Sequence, residues 1–188
     1  MSQQDMARWK VRRQRLVVDR PPWLRLWEQE VELPNGYVIE HYLWGEEPDV
    51  AMAFVVTEDE HVLFVEQYKH GPGQPMLDLP AGYLDAEDPT PLDGMKRELA
   101  EETGHVSNSW RFLSSLLRDP NRSATRTHFF LALDAFRDGQ PHLDPTEEIR
   151  VHRVPLVDVP TLLDEGCIGS LMSVAGILAA LRMQLVGT

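Results

Sequence analysis

Three glutamates, Glu98, Glu101 and Glu102, fall at i, i+3 and i+4 just before Gly104. On a helix they share one face. The local grammar is helical: Thr90 suits the N-cap, Pro91 the first helical position and Asp93 the first turn. Leu92, Met95 and Leu99 are spaced to face a core, and Gly104 suits the helix end. The acids therefore gather at the terminus where the helix dipole is already negative. Like charges there repel. The simplest thing that makes the arrangement worthwhile is a divalent cation with oxygen ligands, Mg²⁺ or Mn²⁺. Arg97, four residues before Glu101, can pair with it and fix that carboxylate. The plainer alternative is a charged, solvated helix face. The preceding residues argue against it, because 77–82, reading LDLPAG, form a short strand entering a tight turn, followed by an acidic loop.

The remaining periodicities predict a mixed α/β chain. Residues 51–57 and 61–67 are apolar, β-rich runs separated by Glu58-Asp59-Glu60, a hairpin pattern. Residues 126–133 and 149–155 read as strands, 158–165 as a short helix ended by Gly166, and 170–186 as a final helix. Leu171, Val174, Ile177, Leu178, Leu181 and Leu185 give that helix an apolar stripe. It is barely long enough to cross a membrane, and Ser170, Ser173, Gly176, Arg182 and Gln184 point to a packed core helix instead. Near the start, 23–33 and 37–44 read as two strands joined through Pro34-Asn35-Gly36.

Charge is distributed unevenly. Residues 1–25 carry Arg8, Lys10, Arg12, Arg13, Arg15, Arg20 and Arg25 against Asp5 and Asp19, a local +5 in a chain of net −12, which leaves −17 for the rest. An acidic body argues against a nucleic acid partner. The basic start either contacts an acidic surface, its own or a partner subunit's, or is a partly disordered solvated tail. One cysteine, Cys167, permits no internal disulfide and suits a reducing cytoplasm. It reads as a small buried apolar residue rather than a nucleophile. No secretory signal is expected, since the N-terminus lacks an apolar core segment.

The segment from Gly82 to Gly104 resembles the signature of the Nudix hydrolases, G-x5-E-x7-R-E-U-x-E-E-x-G-U with U a bulky apolar residue. It agrees at Gly82, Arg97, Glu98, Leu99, Glu101, Glu102 and Gly104. It departs in two places. Fourteen residues separate Gly82 from Arg97 where the pattern has thirteen, so the early glutamate is either Glu87 or displaced by Asp88. The last apolar position is His105, with Val106 next. The resemblance implies an α/β Nudix fold: a mixed β-sheet sandwiched between helices, here with an N-terminal β-hairpin extension. It implies metal ligation by Glu98, Glu101, Glu102 and the main-chain carbonyl of Ala81.

Small Nudix enzymes acting on nucleoside triphosphates generally lack such an extension. It resembles the N-terminal region of the ADP-ribose pyrophosphatase branch, which exchanges between subunits, builds a dimer and contributes to the pocket. Residues 1–48 are therefore expected to form a dimerisation extension and 49–188 the hydrolase domain. Trp23, Trp27, Tyr37, Tyr42 and Trp44 are available to pack there or to stack on a base. Pro120, sixteen residues after Gly104, resembles that branch's marker. It lies in a polar loop with Arg122 and Arg126, able to clamp a diphosphate or sugar phosphate. Gln67-Tyr68-Lys69-His70 resembles the family's QYR segment, with Lys69 in place of the substrate-contacting arginine. In this branch a general base is carried on a loop before the last strand, which makes Glu147 or Glu148 the candidate, or else both are solvated turn acids. Asp78 is a candidate for a ribose hydroxyl or a turn residue. The expectation is a dimeric, cytoplasmic, Mg²⁺-dependent hydrolase of ADP-ribose or a related nucleoside diphosphate sugar. The alternatives are another derivative such as GDP-mannose, or a non-catalytic nucleotide-binding regulator.

Overall fold

A computed structural model describes residues 6–186, with side chains as far as residue 183. Asp5 and the side chains of Gln184 and Leu185 lie outside the described residues. The chain divides into two compact units, Met1–Pro48 with Leu117–Thr125, and Asp49–Leu116 with Arg126–Thr188.

The first unit is an antiparallel sheet in the order β1-β2-β3, formed by β1 (Lys10–Arg20), β2 (Leu24–Glu32) and β3 (Val38–Glu46). The Pro34-Asn35-Gly36 turn joins β2 to β3, with Gly36 at φ 84° and the Asn35 side chain accepting from Tyr37 N–H at 3.0 Å. The basic start is a strand rather than a tail. Arg12, Arg13 and Arg15 meet Glu32, Glu30 and Glu28 of β2 at 3.0, 3.5 and 2.6 Å. These pairs are exposed and screened by solvent, so they set register more than stability. Leu16, Trp27 and Trp44 stand in register across the three strands. Residues 117–125 join this unit because Arg122 carbonyl accepts from Gly45 N–H at 2.7 Å and Arg118 pairs with Glu47 at 2.9 Å.

The second unit holds β4 (Val50–Thr57), β5 (His61–Lys69), β6 (Gln74–Asp78), β7 (Ala81–Tyr83), α1 (Pro91–Thr103), β8 (His105–Val106), β9 (Ser109–Leu117), β10 (Arg126–Arg137), β11 (Ile149–Pro155), α2 (Val159–Asp164) and α3 (Leu171–Val186). The sheet order is β11-β5-β4-β10-β8, with β6 on β5, β7 on β4 and β9 on β10. Strand β10 runs parallel to β4, whereas β4–β5, β5–β6 and β5–β11 are antiparallel, so the sheet is mixed.

Strand β4 is buried throughout, and apolar from Val50 to Val56, because both its faces are covered. Met52, Phe54 and Val56 join a cluster with Val159 of α2 and Ile177 and Ala180 of α3. Ala51, Ala53 and Val55 face the other way, onto Met95 and Leu99 of α1. Burying each of the larger side chains stabilises by about 1.5–3 kcal/mol. The sheet is thus sandwiched, as the sequence implied.

The run 77–82 is a strand end entering a turn, as expected, and a further short strand follows: β6 stops at Asp78 and β7 starts at Ala81, with Pro80 lacking an N–H for a ladder and offering only its carbonyl, to Ala53 N–H at 3.1 Å. Strands β8 and β9 lack a clear alternation and were not anticipated from the sequence. The stripe on α3 is right in part: Ile177 is in the core and Val174 and Leu181 pack against it, but Leu171 and Leu178 are exposed, and Ser173, Gly176 and Ala180 complete the buried face. The fit is tight at Gly176, where a Cβ would lie 3.0 Å from Leu79 and 3.1 Å from Phe129. Cys167 is exposed rather than buried. Among the described residues, no helix is long and apolar enough to cross a membrane.

Candidate active site

Helix α1 builds the site as its sequence predicts. Thr90 Oγ1 accepts from Asp93 N–H at 3.2 Å. Gly104 closes the helix in the left-handed conformation at φ 69°, its N–H donating to the Ala100 carbonyl at 2.9 Å. No basic residue occupies the last turn to offset the dipole.

The three glutamates differ in surroundings. Glu102 is buried and accepts from the Ala81 N–H at 3.0 Å. Burial, reinforced by the nearby Glu98 charge, pushes its carboxyl up to about 8. Burial also pushes Glu98 up to about 7, against the opposing pull of Arg97. Glu101 is half-exposed. A Cβ on Gly82 would lie 2.0 Å from the Glu98 carboxyl carbon, so a larger residue there would displace that carboxylate from its present position.

Arg97 is the hub. One terminal nitrogen, Nη1, donates to Glu98 at 2.8 Å and to Glu101 at 2.9 Å. Its Nε and Nη2 donate to the two oxygens of Asp88 at 3.3 and 3.0 Å, and Nη2 reaches the Tyr83 carbonyl at 3.3 Å. The Arg97 guanidinium holds the Asp88 carboxyl below its ordinary range. Asp88 also accepts from Asp85 N–H at 2.9 Å. Of the two acids the sequence left open, Asp88 is therefore the one that anchors the loop. Counting forward from Gly82 finds it at the sixth position, where G-x5-E has its acid; the extra residue lies after it. Substituting Asp88→Asn should lower stability by about 1–3 kcal/mol, less than a fully buried pair because Arg97 keeps other partners. Chemical denaturation measures this, and an unchanged midpoint would contradict the anchor.

The loop before β11 lies over the same helix end. Gly104 carbonyl accepts from Asp138 N–H at 3.0 Å and Gly139 N–H at 3.2 Å, and Glu101 carbonyl accepts from His142 N–H at 2.9 Å. Glu147 is half-buried in this loop, with its carboxylate accepting from Asp144 N–H at 3.1 Å. Its charge raises both Glu98 and Glu102. Glu148 is exposed. Lys69, at the end of β5, bonds Gln67 at 2.6 Å, and its charge lowers the carboxyl of Glu102. The structure thus brings together Ala81, Arg97, Glu98, Glu101, Glu102, Lys69 and Glu147.

Other candidates stand elsewhere. Asp78 is buried, and its carboxylate accepts from Ser173 Oγ of α3 at 2.8 Å, away from the α1 face. Arg126 donates to the Ser115 carbonyl at 3.0 Å and hydroxyl at 3.2 Å. Trp44 and Arg122 belong to the first unit, Trp44 opposite Trp27 and Arg122 in the loop tied to Gly45. The role of Ser173 escaped sequence reasoning, because a buried serine on a helix carries no distinguishing spacing.

The donor chemistry fits a hard cation. Three carboxylates share a helix end, Glu102 buried and Glu98 half-buried, both pushed toward the neutral form, with no lysine or arginine in that last turn. Among the described residues, no three His, Cys, Asp or Glu side chains are already gathered for a metal. Glu98 and Glu101 are instead held by Arg97, and Glu102 by Ala81.

Signature, sheet and site define the class, and the chain belongs to the NUDIX domain family, whose domain matches residues 46–169. It is a Nudix hydrolase related to ADP-ribose pyrophosphatases, a family that generally uses divalent metals. One relative, the ADP-ribose pyrophosphatase of Mycobacterium tuberculosis (strain ATCC 25618 / H37Rv), is 29% identical over 157 residues, covering 80% of this chain and 72% of that protein. The ADP-ribose pyrophosphatase of Bacillus subtilis (strain 168) is 26% identical over 140 residues, covering 74% and 75%. The methanol dehydrogenase activator of Bacillus methanolicus is 30% identical over 112 residues, 58% of each chain. In fold, the chain matches the crystal structure of an ADP compounds hydrolase with a TM-score of 0.83 at 21% identity, over 97% of this chain and 96% of that one.

The raised carboxyls predict a pH effect. Their folded values, about 7 and about 8, exceed the ordinary 4.5, so the folded protein keeps protons that the unfolded chain has released. This stability is complete below 4.5 and is lost as pH rises toward 8. His105, lowered by burial from 6.5, pulls the other way below that value. Metal-free protein should therefore melt at progressively lower temperature between pH 6.5 and 8. Mg²⁺ should raise Tm more at the upper end of that range than at pH 5.5. A metal-induced shift independent of pH, read by scanning fluorimetry, would contradict this.

Proposed function

We propose that the protein is a Mg²⁺-dependent pyrophosphatase that hydrolyses ADP-ribose, or a related nucleoside diphosphate sugar, to a nucleoside monophosphate and a sugar phosphate; for ADP-ribose these are AMP and ribose 5-phosphate. The observation that carries the reading is electrostatic: at one helix end the Glu102 carboxyl is raised by burial and by the charges of Glu98 and Glu147, and Glu98 by burial and by Glu101 and Glu147, with Lys69 as the opposing charge on Glu102. Two relatives named ADP-ribose pyrophosphatase support the substrate class.

Glu98, Glu101, Glu102 and the Ala81 carbonyl would hold the cation. When bound, Mg²⁺ neutralises phosphoryl charge and makes a nearby water easier to deprotonate. Arg97 orients Glu98 and Glu101 through Nη1. Glu147 takes the proton from the attacking water, and Lys69 offers positive charge to the phosphoryl oxygens. Water adds to phosphorus and the bridging P–O bond breaks, leaving with the second phosphate. Arg122, Arg126 and Trp44 are further candidates for contact with the substrate, and Asp78 is a weaker one because Ser173 already occupies its carboxylate.

The first unit is proposed as a homodimer interface; it exposes Trp9, Val11, Val17 and Tyr37. Cytoplasmic residence is proposed from the single cysteine. A regulator reading draws on the relative named an activator, but a purely binding protein has no need of the retained signature acids. Incubation with Mg²⁺ and a panel of nucleotide sugars tests the assignment. Turnover of ADP-ribose is expected; a far higher rate on GDP-mannose, or binding of ADP-ribose without turnover, would overturn it.

A further inference from the structure

The end of β5 carries a polar pair whose partner residue has no role in the chemistry above. Lys69 Nζ donates to Gln67 Oε1 at 2.6 Å, and both side chains are half-buried. Residues two apart on a strand share a face. Leu63, on the same face of β5, packs with Met95 and Leu99 of α1. Gln67 therefore stands on the α1 side of the sheet, between that core and Lys69. It is in register with Met76 of β6 and Ile149 of β11, so its backbone is held from both sides. Ile149 is two residues beyond Glu147, which places Gln67 beside the point where the Glu147 loop enters the sheet.

A lysine ammonium is a compact charge on a flexible stem. Unanchored, it loses rotamer freedom on meeting an anion. An amide two residues away on a doubly paired strand restricts it beforehand. The amide also leaves the full positive charge available, whereas a glutamate there would pair with Lys69 and cancel it. We propose that Gln67 is a positioning residue that holds the Lys69 ammonium on the carboxylate end of α1, ready for the phosphoryl oxygens of a nucleoside diphosphate. This rests on the substrate reading given above.

The test is a double-mutant cycle on the full chain, with ADP-ribose affinity measured calorimetrically without metal and turnover measured with Mg²⁺. Q67M should weaken binding about five- to tenfold, the range of one hydrogen bond, with kcat changed less than about threefold. In a K69M background, the same substitution should change affinity less than about twofold, because Gln67 acts only through Lys69. Q67E, nearly the same size, should weaken binding more than Q67M and guards against a packing defect. Equal effects of Q67M in both backgrounds, or no effect of Q67M or Q67E in the wild-type background, overturn the inference while leaving the substrate reading intact. Failure of the wild-type protein to bind ADP-ribose or the other nucleotide sugars removes both.

Discussion

Replacing Glu102 with glutamine should lower kcat by about 10²–10³-fold while the protein stays folded. The side chain is buried beside Glu98, with burial pushing its carboxyl up to about 8. An amide keeps an oxygen for the Ala81 N–H but removes the negative charge a hard cation needs. The substitution should also relieve repulsion with Glu98, so the metal-free variant should melt no lower than wild type and respond less to Mg²⁺. Both readouts matter together: lost turnover with an unchanged Mg²⁺ response would point to a role other than metal ligation. Near-normal kcat would contradict the site altogether.

The second large effect should separate two neighbouring acids. Glu147→Gln is expected to lower kcat by about 10²–10⁴-fold and to remove the acidic limb of the pH–rate profile, as loss of a general base does. Glu148→Gln, at an exposed position, should leave kcat within about twofold, the scale of an ordinary surface substitution. The distinction comes from surroundings. Glu147 is tied to Asp144 N–H at 3.1 Å and its charge reaches Glu98 and Glu102. The reverse pattern, with Glu148 essential and Glu147 dispensable, would show that the loop presents its acids differently during turnover.

The site was legible to the extent that its chemistry follows helix geometry. Thr90, Pro91, Gly104 and the i, i+3, i+4 acids are local signals, and the structure realises each cap at the predicted residue. The hairpin at Asn35-Gly36 and the buried run of β4 were equally local. What escaped depends on distant partners. The strand character of Lys10–Arg20 comes from the acids of β2, and its charge-rich composition alone resembles a solvated tail. On α3 the apolar stripe was right at Val174, Ile177 and Leu181 but wrong at Leu171 and Leu178, which are exposed. Close approach of Leu79 and Phe129 to Gly176, and burial of Ser173 and Ala180, fill the rest of that face with small residues.

From the sequence alone came the family, the helix that carries the acids and the expectation that those acids hold a cation, because charge spacing and helix termini are properties of a few consecutive residues. The tertiary structure decided which acid anchors Arg97, which of two glutamates faces the cluster, and that Asp78 turns toward α3. Those choices depend on burial and on hydrogen bonds between segments far apart in the chain, where desolvation, not spacing, sets the charge state of each group.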